Sequence, residues 1–362
     1  MNLRRRASLG PLVAALIALP LAAKPAAAAP PAASPEIAQA IGALAPYAPG
    51  ERVAGALRLW GHGSFKRDFM GSLVNAWIAE FGRHQPGVRF DYRMYGTASA
   101  VGALYTGAGD IAILGEEISP AAARAFLRAK GYAHTAIAIA TGSVDVNYHD
   151  YAHMIFVHRD NPLAALSLPQ LAAIFGTGDR GGPAPIRHWD ALGLGGTFAG
   201  RRIRPHGWKT DVDFALFFRE RVLADSHRWN VDIAEYEHAQ HADGRPYDHG
   251  QRIVDAVAAD PFAIGISNVR YARPEVKALP LAWRDGGPAY APVPANLIAQ
   301  RYPLTRIIPA IVDRPPGQPL APAVREFLRF LLSREGQAIL VAESGYLPLG
   351  RAFVDAQQET LQ

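Results

Sequence analysis

Between Leu57 and Leu349 the apolar residues recur in two rhythms that alternate along the chain. The segment LRLWG reads as a short strand. Phe69, Met70, Leu73, Val74, Trp77, Ile78 and Phe81 then fall three and four residues apart, a spacing that predicts a helix. VRFDYRMYG switches to strict alternation and sets Val88, Phe90, Tyr92 and Met94 on one face of a strand. DIAIL and TAIAIAT read as buried strands, and PAAARAFLRAKGY as a helix opened by Pro120. A second region begins at YAHMIFVHR, where Ser167 and Gln170 have capping-box spacing ahead of an apolar run. A strand near RRIRP, helices in FALFFRERVL and GQRIVDAVAAD, and a strand in FAIGIS follow. RIIPAIV is a last strand, before two helices in APAVREFLRFLLSREGQAILVAES. Strands and helices alternate throughout, which predicts an α/β protein with mainly parallel sheets. At 362 residues the chain is long enough for two lobes, and no internal repeat is evident.

The first 30 residues break the pattern. MNLRRRASLGPLVAALIALPLAAKPAAAAP has a basic start, an apolar stretch to Ala23 and then small residues. It reads as a secretory leader over residues 1–29, cut between Ala26 and Ala29. A membrane anchor is the alternative, but the apolar stretch is short and is interrupted by Pro11 and Pro20. Arg4–Arg6 leave both Sec and twin-arginine export open. Loss of the leader removes four cations and no acid, so the formal charge drops from +5 to +1. Basicity therefore gives no ground for nucleic-acid binding. The absence of cysteine excludes disulfides, thiolate chemistry and a lipoprotein anchor. Residues 30–55, rich in alanine and proline as far as Gly50, read as a loose arm.

Open α/β sheets bind ligands beyond the C-terminal ends of their strands, where helix N-termini offer free N–H groups. GHGSFK is such a junction. YGTASAVGALYTG is another, with Gly96, Thr97 and Ser99 ahead of a helical turn. Two strand–glycine–hydroxyl–helix junctions in one lobe predict a site for a polar or anionic guest.

Five further pieces occur in order: NPLAALSLPQLAAIF, HWDALGLGG, DPFAIGISNVRYA, YPLTR and FLRFLLSREGQAILVAESGYLPL. Together they resemble the periplasmic phosphate-binding protein family, the solute-capturing component of ABC phosphate importers. The resemblance implies a two-lobed Venus-flytrap fold with an inter-lobe cleft that closes on its ligand by a hinge motion. It implies chain crossings near Asp145–His153 and Ser267–Tyr271. Lobe 1 would then comprise 56–148 plus 268–350, lobe 2 would comprise 149–267, and 351–362 would form a tail. It further implies phosphate or another oxyanion as ligand and an inner-membrane ABC permease as partner. A periplasmic monomer without cofactor, metal or catalytic activity is expected.

Residue by residue, the resemblance matches Gly61, Gly63 and Ser64 to a first phosphate loop. The bare sequence is equally compatible with a plain N-cap role for Ser64. Gly96, Thr97 and Ser99 match a second loop. In the third, relatives carry an aspartate or a Ser–Arg pair, and this chain has Gly115 and Glu116. Glu116 can accept the proton of a partly protonated anion and so reject sulfate, or it can repel anions outright. The fourth loop departs from the family, which has an arginine and then Ser–Gly–Thr opening a helix. RIRPHGWKTDVDFALFFRERVL allows two registers. One keeps Arg204 and Thr210; the other, ungapped, puts Trp208 at the arginine and Val212, Asp213 and Phe214 at the helix start. The second preserves length and is preferred, and either way the clamp is degraded. Each charge-assisted hydrogen bond lost costs roughly 1.5–3 kcal/mol. Lys209 offers a point charge without arginine's bidentate fit.

Other conspicuous residues have competing readings. EYEHAQHADGRPYDHG gathers Glu235, Glu237, His238, His241, Asp243, Asp248 and His249; the three histidines are candidate metal ligands, but their gaps fit no closed zinc pattern and the stretch reads as an exposed loop. His149 and His153 lie four apart on sequence that reads as strand. Ser64 lacks the second glycine of a nucleophile elbow, because Lys66 stands there. Phe214, Phe217 and Phe218 read as the buried face of their helix. Trp208 would fill the cleft, stack on an organic ligand or plug the site. The readings that follow are capture of phosphate or a related oxyanion for an importer; a diverged paralogue that takes another solute or acts as sensor or scaffold; and, distantly, a serine or metal hydrolase.

Overall fold

The computed structural model describes residues 34–63, 69–142, 152–178, 183–211 and 213–362. The expected leader, Ser64 and most of the expected first crossing lie outside the described residues.

The chain enters through helix α1 (Pro35–Gly42). It then builds strand β1 (Ala54–Gly61), helix α2 (Phe69–His84), strand β2 (Gly87–Arg93), helix α3 (Thr97–Tyr105), strand β3 (Ile111–Ile113), helix α4 (Pro120–Lys130) and strand β4 (Thr135–Thr141). Local chemistry sets the boundaries. Ser119 accepts the N–H of Ala122 at the start of α4, Pro120 fixes its first turn, and Gly131 ends it at φ +81°.

The second region carries β5 (Met154–His158), β6 (Leu166–Ser167), α5 (Leu168–Phe175), β7 (Arg204–Trp208) and α6 (Asp213–Leu223). It continues with β8 (Ala234–Tyr236), β9 (Ala239–Gln240), β10 (Pro246–Tyr247), α7 (His249–Ala259), β11 (Ala263–Ser267) and β12 (Val276–Ala278). Two short strands, β13 (Leu281–Ala282) and β14 (Ala289–Tyr290), and helix α8 (Pro294–Ile298) complete it. The capping box opens α5 as expected: Ser167 accepts the Gln170 N–H and Gln170 accepts the Ser167 N–H. The chain then returns as β15 (Ile307–Val312), followed by α9 (Pro322–Leu331), α10 (Arg334–Ser344) and α11 (Arg351–Thr360).

Two five-stranded sheets result, in the orders β2-β1-β3-β15-β4 and β12-β5-β11-β7-β8, each with its own apolar core. The architecture is α/β, but the sheets are mixed rather than mainly parallel. In the first, β1 is parallel to β2 and β3, while β15 is antiparallel to β3 and β4. In the second, β7 is parallel to β8 and β11, while β5 is antiparallel to β11 and β12. The helix–strand alternation dictates direction only for consecutive crossovers, and β15 arrives from the other lobe.

Three boundary expectations need correction. The return crossing is not at Ser267–Tyr271, because β12 still pairs with β5 and β13 with β6; the chain leaves the second core after Leu304. The arm at 30–55 is not loose where it is described. Ile37 and Ala40 pack against the second core, whereas Leu44 and Tyr47 are buried in the first. The Tyr47 hydroxyl donates to the fully buried Glu326 at 2.8 Å, and Glu326 also accepts the Gly50 N–H and pairs with Arg329. Residues 351–362 form a docked helix, not a tail: Val354 and Leu361 are buried, and Gln357 accepts the Ala138 N–H at 2.8 Å.

Candidate ligand-binding site

Because β1, β2 and β3 run parallel, the loops after them share one edge of the first sheet. Their backbones interlock: Gly96 N–H donates to the Gly61 carbonyl at 2.9 Å and His62 N–H to Ile113 at 2.8 Å. Close approach, not unusual dihedrals, demands the glycines of the first loop. A Cβ on Gly63 would lie 1.8 Å from the Met94 carbonyl oxygen, and one on Gly61 would lie 2.5 Å from Met94 Sδ. A Cβ on Gly115 in the third loop would meet the His62 ring at 2.5 Å. Helix α3 opens at this edge, after Gly96 at φ +137°. The Thr97 hydroxyl is buried there with no hydrogen-bond partner among the described residues. Ser99 is exposed and commits its proton to the Gly96 carbonyl at 2.8 Å.

Glu116 lies in the third loop beside a carboxylate that sequence reasoning did not single out. Glu117 accepts from Arg306 Nε and Nη2 at 2.9 and 2.7 Å and from the Ile307 N–H at 2.6 Å; Glu116 lies 3.5 Å from the same guanidinium. Arg306 is 2 % exposed and rests 5.2 Å over the Phe217 ring of α6. It thus ties a first-lobe loop to the returning chain and to a second-lobe helix. The only sequence signal for it was its place at the end of YPLTR.

In the second lobe, β7 and β8 end together at Trp208 and Tyr236, on the edge where β5 begins. Trp208 is buried, stacked on Phe214 at 5.5 Å, with its ring 4.6 Å from that of His153. Burial and the Arg306 charge push the His153 pKa well below the histidine range, so the imidazole is neutral. Neither of its ring nitrogens has a hydrogen-bond partner among the described residues.

Lys209 and Thr210 stand on this rim. Lys209 Nζ is held by Glu237 at 2.9 Å, and the Thr210 N–H donates to Glu235 at 2.9 Å. Arg204 is not brought to them. It begins β7, about 13 Å of strand from Trp208, and pairs with Asp260 at 2.7 Å. Helix α6 starts at Asp213, while Val212 lies outside the described residues. Gly63, Thr97, Ser99 and Glu116 therefore gather on the first lobe, and Lys209 and Thr210 on the second. Of the three histidines in EYEHAQHADGRPYDHG, His238 and His249 come together, whereas His241 stacks on Tyr247.

A family profile described as a PBP superfamily domain matches residues 68–335, and the chain belongs to that superfamily. The phosphate-binding protein PstS of Pseudomonas aeruginosa is 28% identical over 312 residues, covering 85% of this chain and 87% of its own. Among solved structures, PstS from Borrelia burgdorferi aligns with a TM-score of 0.52 at 12% identity, over 83% of this chain and 99% of that one. An ABC-type phosphate transport receptor from Vibrio cholerae aligns with a TM-score of 0.46 at 16% identity, over 80% and 99% of the two chains.

Proposed function

We propose that this protein is exported, captures phosphate or a related oxyanion between its two lobes, and presents it to an inner-membrane ABC importer. The observation that carries this reading is the interlocked edge of the first sheet. Three glycine-bearing loops converge there, and the Thr97 hydroxyl is buried at the opening of α3 with no described partner. A helix N-terminus with a poised hydroxyl suits an oxyanion, and the similarity to PstS supports phosphate. Capture requires no covalent chemistry.

One observation favours a second reading, a diverged relative that takes another solute. Trp208 and Phe214 stack where the family resemblance puts an arginine and a helix-opening threonine, and Lys209 is already engaged by Glu237. Calorimetric titration of the mature chain, refolded free of ligand, separates the two. Saturable heat with phosphate but not sulfate, weakened at least tenfold by Ser64→Ala or Thr97→Ala, is expected. Absence of heat with phosphate would overturn the first reading in favour of the second.

A further inference from the structure

The hairpin beyond β8 assembles three side chains that oxyanion capture does not use. In the antiparallel pair β9–β10, Gln240 lies opposite Pro246 and Ala239 opposite Tyr247. One step further in the same register sets His238 against Asp248. Asp248 caps α7, and the first residue of that helix is His249. The His238 and His249 rings stack with centroids 4.0 Å apart. His238 Nδ1 is 3.5 Å from one Asp248 oxygen and His249 Nε2 is 3.8 Å from the other. We infer that His238, Asp248 and His249 form a binding site for a divalent transition cation of the zinc class.

Two imidazoles and a carboxylate are a donor set that zinc prefers, with one position left to solvent. Donors bonded tetrahedrally at about 2.1 Å stand roughly 3.4 Å apart. One potential ligand atom from each of the three side chains already lies within 4.8 Å of the other two. Closing on an ion requires the two rings, now stacked at 21°, to turn apart so that a nitrogen of each aims at one point. The site is also held from behind. His249 is 7% exposed and packed 5.0 Å from the Phe214 ring, and Asp248 is oriented by accepting the Gly250 N–H at 2.9 Å. His238 is exposed and gives an ion its way in. Both His–Asp separations exceed ordinary hydrogen-bond length, so neither imidazole is committed to the carboxylate. The site stands whether or not phosphate is the solute.

The test uses the mature chain without an affinity tag, in phosphate-free buffer, titrated with zinc chloride against a chromogenic chelator and with cobalt(II) for its absorption spectrum. One ion per chain is expected. His238→Ala, at an exposed position, and Asp248→Asn, which retains the helix cap, should each weaken zinc at least tenfold and abolish the cobalt spectrum. His241→Ala should leave both unchanged. No stoichiometric zinc, zinc binding indifferent to His238→Ala, or a loss in His241→Ala equal to that in His238→Ala would overturn the assignment.

Discussion

Replacement of Arg306 by methionine measures how firmly the returning chain is bound to the third loop. The substitution removes two donated hydrogen bonds to Glu117 and the ion pair to Glu116, but keeps an apolar stem against Phe217. Each charge-assisted bond is worth roughly 1.5–3 kcal/mol, and orphaning one partner of a buried pair costs about 3–5 kcal/mol. The Glu117 side chain is 23% exposed and retains the Ile307 N–H, so water and backbone recover part of the loss. Arg306→Met should therefore cost about 3 kcal/mol. Urea denaturation followed by circular dichroism reads this as a lower midpoint at unchanged slope. Glu117→Gln and the double variant complete a cycle, with an expected coupling of about 2 kcal/mol. A single-variant cost below about 1 kcal/mol, or additivity within about 0.5 kcal/mol, would refute the reasoning.

Two further outcomes follow from the same geometry. Gly63→Ala forces the first loop off the Met94 carbonyl and should weaken phosphate at least tenfold by calorimetry; wild-type affinity would show that this contact does not shape the site. His153 is held neutral in the fold, whereas in the unfolded chain it protonates near the ordinary value of 6.5. Below that pH the unfolded state binds the extra proton, so stability falls as pH falls, by up to about 1.4 kcal/mol per pH unit. His249, lowered to about 4 by burial and the His238 charge, adds the same trend between 6.5 and about 4. His153→Phe should flatten the fall in urea midpoint between pH 7 and 5; an unchanged fall would mean that His153 is not the group responsible.

The helices were legible because their faces are amphipathic: Val74, Trp77 and Phe81 are all fully buried, as their spacing implies. The capping box at Ser167 was legible because it is local. Long-range partners were not. Tyr47 and Glu326 are separated by 279 positions, and an alanine- and proline-rich composition concealed the docking of the arm. The crossing at Ser267–Tyr271 came from the family resemblance, and only long-range pairing reveals that β12 still joins β5 in the second sheet. Which residues of EYEHAQHADGRPYDHG meet in space was not legible, because contact follows hairpin register, in which Asp248 rather than His241 stands beside His238. On the second lobe, Trp208 marked the departure from the family, but the sequence left its setting among His153 and Phe214 open.

The position of β15 also has a bearing on the order in which the protein can be made. It lies between β3 and β4 in the first sheet, yet it follows the whole second lobe in the chain. As the polypeptide emerges, residues 152–304 can complete their core while the first lobe still lacks an interior strand and the α9 and α10 helices that cover it. Such non-local pairing is slow to form. The first half of the molecule to be synthesised is thus the last to be finished.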